Sequence, residues 1–151
     1  MPSLWRLYRT AHGPGLDGIG GIFADGRWHT RGERVVYFGG SAAIVVVERL
    51  AHTDPDLLPN DLKLARFEFS AQVPETQVEE LTALPANWNQ DEKATRDIGD
   101  RWRRQRSSCL LAVPSAIIPE ERNFVLNPEH PDAHRLRLVR ERRFTFDPRL
   151  I

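Results

Sequence analysis

Val35-Val36-Tyr37-Phe38-Gly39-Gly40-Ser41-Ala42-Ala43-Ile44-Val45-Val46-Val47-Glu48-Arg49-Leu50-Ala51 is the stretch on which the fold turns. Arg34 to Phe38 reads as a short strand closed by Gly39-Gly40, and Ser41 is a suitable N-cap for a helix from Ala42 to Ala51. The run Ile44 to Val47 has strand propensity and competes with that reading. Length, the cap and the cationic Arg49 and His52 near the C-terminal end favour a buried helix. The unit is thus strand, glycine turn, helix, with one carboxylate in an otherwise apolar segment.

Working outward, Leu4 to Arg9 alternates as a strand does, and a glycine-rich stretch from Gly13 to Gly26 follows it. Gly13-x-Gly15-x-x-Gly18 matches the dinucleotide fingerprint in form, but no helical pattern opens at the third glycine, so the stretch is read as a mobile loop running to the turn Ala24-Asp25-Gly26. Asp54 to Asn60 is a loop and Leu62 to Phe69 a strand. Val78 to Leu84 reads as a strand edge before the break at Pro85. Ala94, Ile98 and Trp102 recur as one face of a helix from Glu92 to Gln105. Cys109 to Val113, Phe124 to Leu126 and Arg135 to Arg143 supply further strands. Strands interrupted by helices give an α+β class with a mixed, largely antiparallel sheet and flanking helices.

The chain has 151 residues, enough for one domain, 1–151, with 40% apolar and 28% charged side chains. No apolar run reaches the roughly 18 residues of a membrane span. The N-terminus lacks the order of a signal peptide and Cys109 is the sole cysteine, so a cytoplasmic location is expected. Lysine plus arginine and aspartate plus glutamate both number 21, so bulk charge recruits neither nucleic acid nor an anionic membrane. Residues 52–95 are locally acidic and residues 96–151 locally basic, which fits a solvated surface.

No metal site is expected: the five histidines are scattered, and His130 and His134, though spaced for a helix, sit beside Pro128 and Pro131 without a suitable glutamate. Cys109, in an apolar strand, is expected to pack rather than react. Glu48, flanked by Val45, Val46, Val47 and Leu50, must be paired, hydrogen-bonded or shifted. Burial logic alone favours a helix turning that position toward solvent or a structural arginine. Arg27 beside Trp28 is equally consistent with a turn arginine lying over an indole. Ser115, bracketed by Pro114 and Pro119, is displayed at a strand end or is simply a turn serine.

Taken in order, Trp5-Arg6-Leu7-Tyr8-Arg9, Gly26-Arg27-Trp28, Val36-Tyr37, Glu48-Arg49-Leu50, Val113-Pro114-Ser115-Ala116, Asn123, Asn127-Pro128 and Phe146 to Leu150 resemble the RES domain, the toxin of bacterial RES-Xre toxin–antitoxin pairs. The resemblance implies a fold similar to ADP-ribosyltransferases and an enzyme that depletes NAD by cleaving its nicotinamide–ribose bond, with water or inorganic phosphate as acceptor. It implies Arg27, Glu48 and Ser115 as the name-giving residues, with Tyr37, Arg9 and Asn127 joining the pocket. In that scheme Glu48 stabilises an oxocarbenium-like transition state. Arg27 and Arg9 hold the pyrophosphate. Tyr37 stacks on the nicotinamide ring, and Ser115 hydrogen-bonds substrate or positions the acceptor. NAD is substrate, and no cofactor is implied. The implied partners are an Xre-like helix-turn-helix antitoxin and a second copy of the chain as a homodimer in the toxin–antitoxin complex, with no direct nucleic-acid or membrane contact. ADP-ribosylation of a protein and a non-catalytic binding module are the alternatives. His29 departs from the asparagine that many relatives carry after the Arg-Trp pair.

Overall fold

The computed structural model describes residues 1–151, except for the side chain of Thr76. Seven strands form one sheet in the order β4-β5-β6-β2-β1-β3-β7. They are β1 (Leu4–Arg9), β2 (Val36–Gly39), β3 (Leu62–Phe69), β4 (Val78–Glu80), β5 (Leu110–Pro114), β6 (Arg122–Leu126) and β7 (Leu136–Phe144). The β4–β5 pair is parallel and the other pairs antiparallel. The helices are α1 (Gly20–Phe23), α2 (Ala42–Ala51) and α3 (Glu92–Gln105). This is the α+β, largely antiparallel architecture the sequence leads one to expect.

The helix reading of residues 42–51 holds despite four consecutive β-branched residues. Ser41 lies in extended conformation and its Oγ accepts from the Ile44 amide at 3.2 Å, satisfying one of the first-turn donors. Two expectations shift. The glycine-rich stretch is not helix-free, because Gly20–Phe23 makes a single helical turn. The buried side of α3 is Thr95, Gly99, Asp100 and Trp102, with Ile98 packed at its margin.

Strand β5 shows why the sheet needs cover on both faces. Its Leu110 and Ala112 join a core with Leu4, Val36, Phe67, Phe124 and Leu126. Leu111 and Val113 point the other way, onto Trp28, Val35, Trp102 and Val125. A continuous apolar run is the expected signature of such a strand. Burial also explains Cys109, which is fully enclosed and whose thiol is pushed up to about 12 by desolvation. It packs, as the sequence suggests.

Helix α3 meets the Arg27–Thr30 segment through small and polar groups. Thr95 Oγ1 donates to the Arg27 carbonyl at 2.6 Å, and Asp100 accepts from the Thr30 amide at 3.0 Å and the Thr30 hydroxyl at 2.6 Å. Between them Gly99 lies against the Trp28 backbone, where a Cβ would overlap the carbonyl. The helix backbone therefore sits on the segment that carries Arg27.

Candidate active site

A cleft of about 590 Å³ opens between β1, β2, α2 and the start of α3. Arg6, Arg27, Trp28, Tyr37, Glu48, Arg49, His52, Arg96 and Asn123 are among its walls. The β2–α2 unit sets its geometry: Tyr37 comes from the strand and Glu48 from the second turn of the helix.

Glu48 is neither turned to solvent nor matched to a structural arginine. Its Oε1 accepts from Ser115 Oγ at 2.7 Å and Asn123 Nδ2 at 2.8 Å, and its Oε2 lies 3.3 Å from His52 Nε2. Two neutral donors orient one oxygen, and 22% of the side chain stays accessible. Ser115 is completely buried, and its Oγ also accepts from the amides of Ile117 and Ile118, both at 3.1 Å. With its proton given to Glu48 and its oxygen engaged by two amides, this hydroxyl has no capacity left for substrate. In this arrangement Ser115 stands behind Glu48, orienting the carboxylate, and is not itself among the residues that line the cleft.

Tyr37 lies on the cleft wall with its hydroxyl committed internally. The Trp28 amide donates to it at 3.1 Å, and His29 Nδ1 lies 2.7 Å away. His29 Nε2 faces the carbonyls of Ala24 at 2.9 Å and Gly21 at 3.2 Å, so Nε2 carries the proton and Nδ1 accepts from the tyrosine. Burial raises the Tyr37 phenol well above its ordinary range. The ring lines the cleft while the hydroxyl braces the segment that presents Arg27. His29 is the hub of this brace, a role that composition and spacing did not signal.

The arginines divide into two groups. On the α3 side, Arg27 lies 3.7 Å from Glu92, donates to the Asn89 carbonyl at 3.3 Å, and shares Glu92 with Arg96, whose Nη1 is 3.2 Å from it. On the α2 side, Arg6 donates to the carbonyls of Pro14 at 2.7 Å and Tyr37 at 2.9 Å, and Arg49 donates to the Leu7 carbonyl at 2.9 Å. Burial and the charge of Arg49 bring Arg6 down to about 10.

Two expected pocket residues lie elsewhere. Arg9 is at the far end of β1, half exposed, with its Nε on Asp61 at 2.9 Å. The strand's alternation turns it away from the cleft that Arg6 enters. Asn127 is buried, and its Oδ1 accepts from the Glu129 amide at 3.0 Å to fix the turn after β6. Arg6, Arg49, Arg96 and Asn123 take places in the cleft that the residue-level reading did not assign. The signal for Arg6 was available: it shares a strand face with Leu4 and Tyr8, both buried, so it is a cation on a core face.

The RES domain model matches residues 3–147, across the elements that frame this cleft. The chain belongs to the RES domain family. It is 38% identical over 149 residues to a protein of Pseudomonas putida named Toxin Res, covering 97% of this chain and 98% of the relative. It is 32% identical over 155 residues to a Sphingobium protein named Prs ADP-ribosylating toxin, covering 99% and 96%. In the crystal structure of the M. tuberculosis MbcT–MbcA toxin–antitoxin complex, one chain matches with a TM-score of 0.73 over 95% of this chain and 84% of its own length. At 19% identity that likeness is one of fold. Within this RES domain, Glu48 and Ser115 are joined by a direct hydrogen bond, and Arg27 lines the same cleft as Glu48.

Proposed function

We propose that this RES domain is the toxin of a toxin–antitoxin pair and that it depletes NAD by cleaving the nicotinamide–ribose bond. The observation that carries the reading is Glu48: a carboxylate held on one oxygen by neutral donors and open to a cleft whose other charged walls are mostly arginine. The volume of about 590 Å³ falls within the roughly 300–1,000 Å³ typical of small-molecule sites. The names of the relatives, toxins in each case, support the same reading.

In the proposed step the C1′–N1 bond breaks and its electron pair passes to the pyridinium nitrogen, so nicotinamide leaves neutral. Positive charge develops on the ribose, where a preoriented carboxylate stabilises it more than it stabilises the ground state. An acceptor oxygen then bonds to C1′ and releases its proton to solvent. Tyr37 offers a ring face to the cationic nicotinamide. The arginines suit phosphate oxygens because their planar forks donate two bonds at once. NAD is the substrate and the scheme invokes no cofactor.

Incubating the purified chain with NAD tests this directly by release of free nicotinamide. The fate of labelled ADP-ribose separates the acceptors: free ADP-ribose for water, a phosphorylated product for inorganic phosphate, and a macromolecule-bound label for protein. The protein acceptor is the second reading, favoured by the name of the Sphingobium relative. Intact NAD after prolonged incubation with folded chain removes both. The partner proposed is an Xre-like helix-turn-helix antitoxin covering the cleft, in a cytoplasmic complex with the toxin as a homodimer. A complex whose cleft still admits NAD would count against that partner mode.

A further inference from the structure

We propose that the free edge of β7 takes an acidic, extended polypeptide segment of a partner protein as an eighth strand. The inference rests on the edge of the sheet alone and is independent of the NAD reading.

Strand β7 ends the sheet: it pairs with β3 on one side and with no strand on the other. Its nine residues offer about 30 Å of extended backbone, whose outward N–H and C=O groups can take up a new ladder. Every residue from Arg137 to Arg143 is exposed. Leu138 and Val139, an adjacent apolar pair between arginines, are each 45% exposed. The register steps from Arg66–Arg140 to Phe67–Leu138, so Val139 is the extra residue of a bulge.

Charge decides what kind of strand fits. Arg137, Arg140, Arg142 and Arg143 stand here against the single Glu141, which is already engaged by Tyr8 and Lys63. Among the described residues, no carboxylate comes within salt-bridge distance of those four arginines. Two further cations face them across the ladder, Arg66 opposite Arg140 and Lys63 opposite Arg143. Like charges directly opposite destabilise a sheet, and the Nε of Arg66 is in addition buried without an acceptor. The free chain thus carries a repulsion that a neighbouring strand bearing carboxylates relieves.

Charged edges and bulges also protect a sheet against self-pairing. Protection accounts for the arginines but not for an exposed apolar pair among them, which suits a polypeptide with apolar side chains and not a nucleic acid. The same charges exclude a second copy of the chain, because a twofold pairing about Arg140 sets that guanidinium against its own image. The other edge of a copy, β4, is three residues long, with Glu79 on Ser108 and Glu80 on Arg122. An acidic strand meets both features: the ladder supplies affinity, and opposite charge supplies the choice of partner.

The experiment titrates the full chain with a fluorescein-labelled peptide alternating glutamate and valine over about nine residues, the length of β7, and reads binding by anisotropy and hydrogen exchange. Binding should slow exchange of the amides of residues 136–144. It should weaken by roughly tenfold or more in the double variant R140E/R142E, where attraction becomes repulsion. Arg140→Glu turns the like-charge pair with Arg66 into an opposite one, so the variant should fold, with a Tm at or above the parent's. Arg104→Gln, an exposed cation on α3, should leave the affinity unchanged. A lysine–valine peptide, and the glutamate–valine peptide with every amide N-methylated, should each bind at least roughly tenfold more weakly, the first for want of charge match and the second for want of a ladder. Absence of binding, or binding without protection of β7, overturns the proposal. Equal affinity for the N-methylated peptide, with displacement by duplex DNA, would make the edge a general polyanion surface and overturn it as well. Self-association of the chain that R140E/R142E abolishes would assign the edge to a second copy instead.

Discussion

Ser115 Oγ donates to Glu48 Oε1 at 2.7 Å while accepting from the Ile117 and Ile118 amides, so a serine 67 positions away fixes the orientation of the carboxylate. The two prolines around Ser115 make this reachable, because the chain turns sharply after β5 and brings its own amides onto the hydroxyl. Ser115→Ala should therefore lower kcat by about tenfold, the value of one hydrogen bond to a charged group, with KM for NAD little changed. A nucleophilic serine would instead lose activity by several orders of magnitude and leave a covalent adduct visible by mass spectrometry. Steady-state kinetics and intact-mass measurement on the same samples distinguish these outcomes.

Glu48→Gln separates charge from shape. The amide oxygen can still accept from Ser115 and Asn123, and no buried cation is left uncompensated, since the contact on the other oxygen is the largely exposed His52. The cost of roughly 3 kcal/mol or more expected on breaking a buried ion pair should thus be missing. Turnover should fall by roughly 10² or more while NAD affinity and the unfolding temperature stay near those of the parent. A folded, fully active variant would remove the charge from the mechanism.

The sequence made the strand–turn–helix unit legible because three local signals agreed there: the glycine pair, the Ser41 cap and the position of the cations. It flagged Glu48 because a carboxylate in an apolar run demands a partner, yet it could not name that partner, since Ser115 and Asn123 lie 67 and 75 residues away. Arg9 and Arg6 show the limit of motif reading. Both belong to the same strand motif, and only the period-2 alternation combined with the sheet order places one in the cleft and the other on Asp61. The docking of α3 through Thr95 and Gly99 escaped the apolar-periodicity search because backbone proximity requires small residues instead of large ones.

Tyr37 has two separable parts, a ring on the cleft wall and a hydroxyl inside a hydrogen-bonded brace. Tyr37→Phe keeps the ring but leaves the Trp28 amide and His29 Nδ1 without their partner. The expected loss is about 2 kcal/mol, or roughly 4–8 °C in Tm for a domain of this size. NAD affinity should hold, whereas Tyr37→Ala should lose affinity as well. Thermal unfolding with and without NAD reads both parts.

Burial of Cys109 sets an alkaline limit on stability. Its thiol titrates from 9.0 in the unfolded chain but is pushed up to about 12 in the fold. Above pH 9 the unfolded state therefore binds fewer protons than the native state, and stability falls as pH rises toward the folded value. The slope from this group is about 1.4 kcal/mol per pH unit. The phenol of Tyr8, bonded to Glu141 and raised from 10.0 to about 12, adds its share above pH 10. Cys109→Ala should delay the onset by about one unit, from near pH 9 to near pH 10, in urea unfolding series. An unchanged onset would mean that the thiol is not the first group to titrate.

Gly99 offers the test of whether α3 positions the site at a distance. A methyl at this position overlaps the Trp28 carbonyl, and backbone contacts on both sides leave no flexible side chain to yield. Thr95 and Asp100 hold the neighbouring residues Arg27 and Thr30, so the helix cannot retreat without breaking their hydrogen bonds. Alanine ordinarily improves a helix interior by about 1 kcal/mol over glycine. Here Gly99→Ala should destabilise instead, by about 3 kcal/mol or more, on the scale of overpacking with broken buried hydrogen bonds. Near the unfolding threshold, nicotinamide release at low temperature is the informative readout. If chain that remains folded still shows activity well below the parent, displacement of Arg27 by α3 is the cause. Parent-like activity per folded molecule would show that the helix supports stability without setting the position of Arg27.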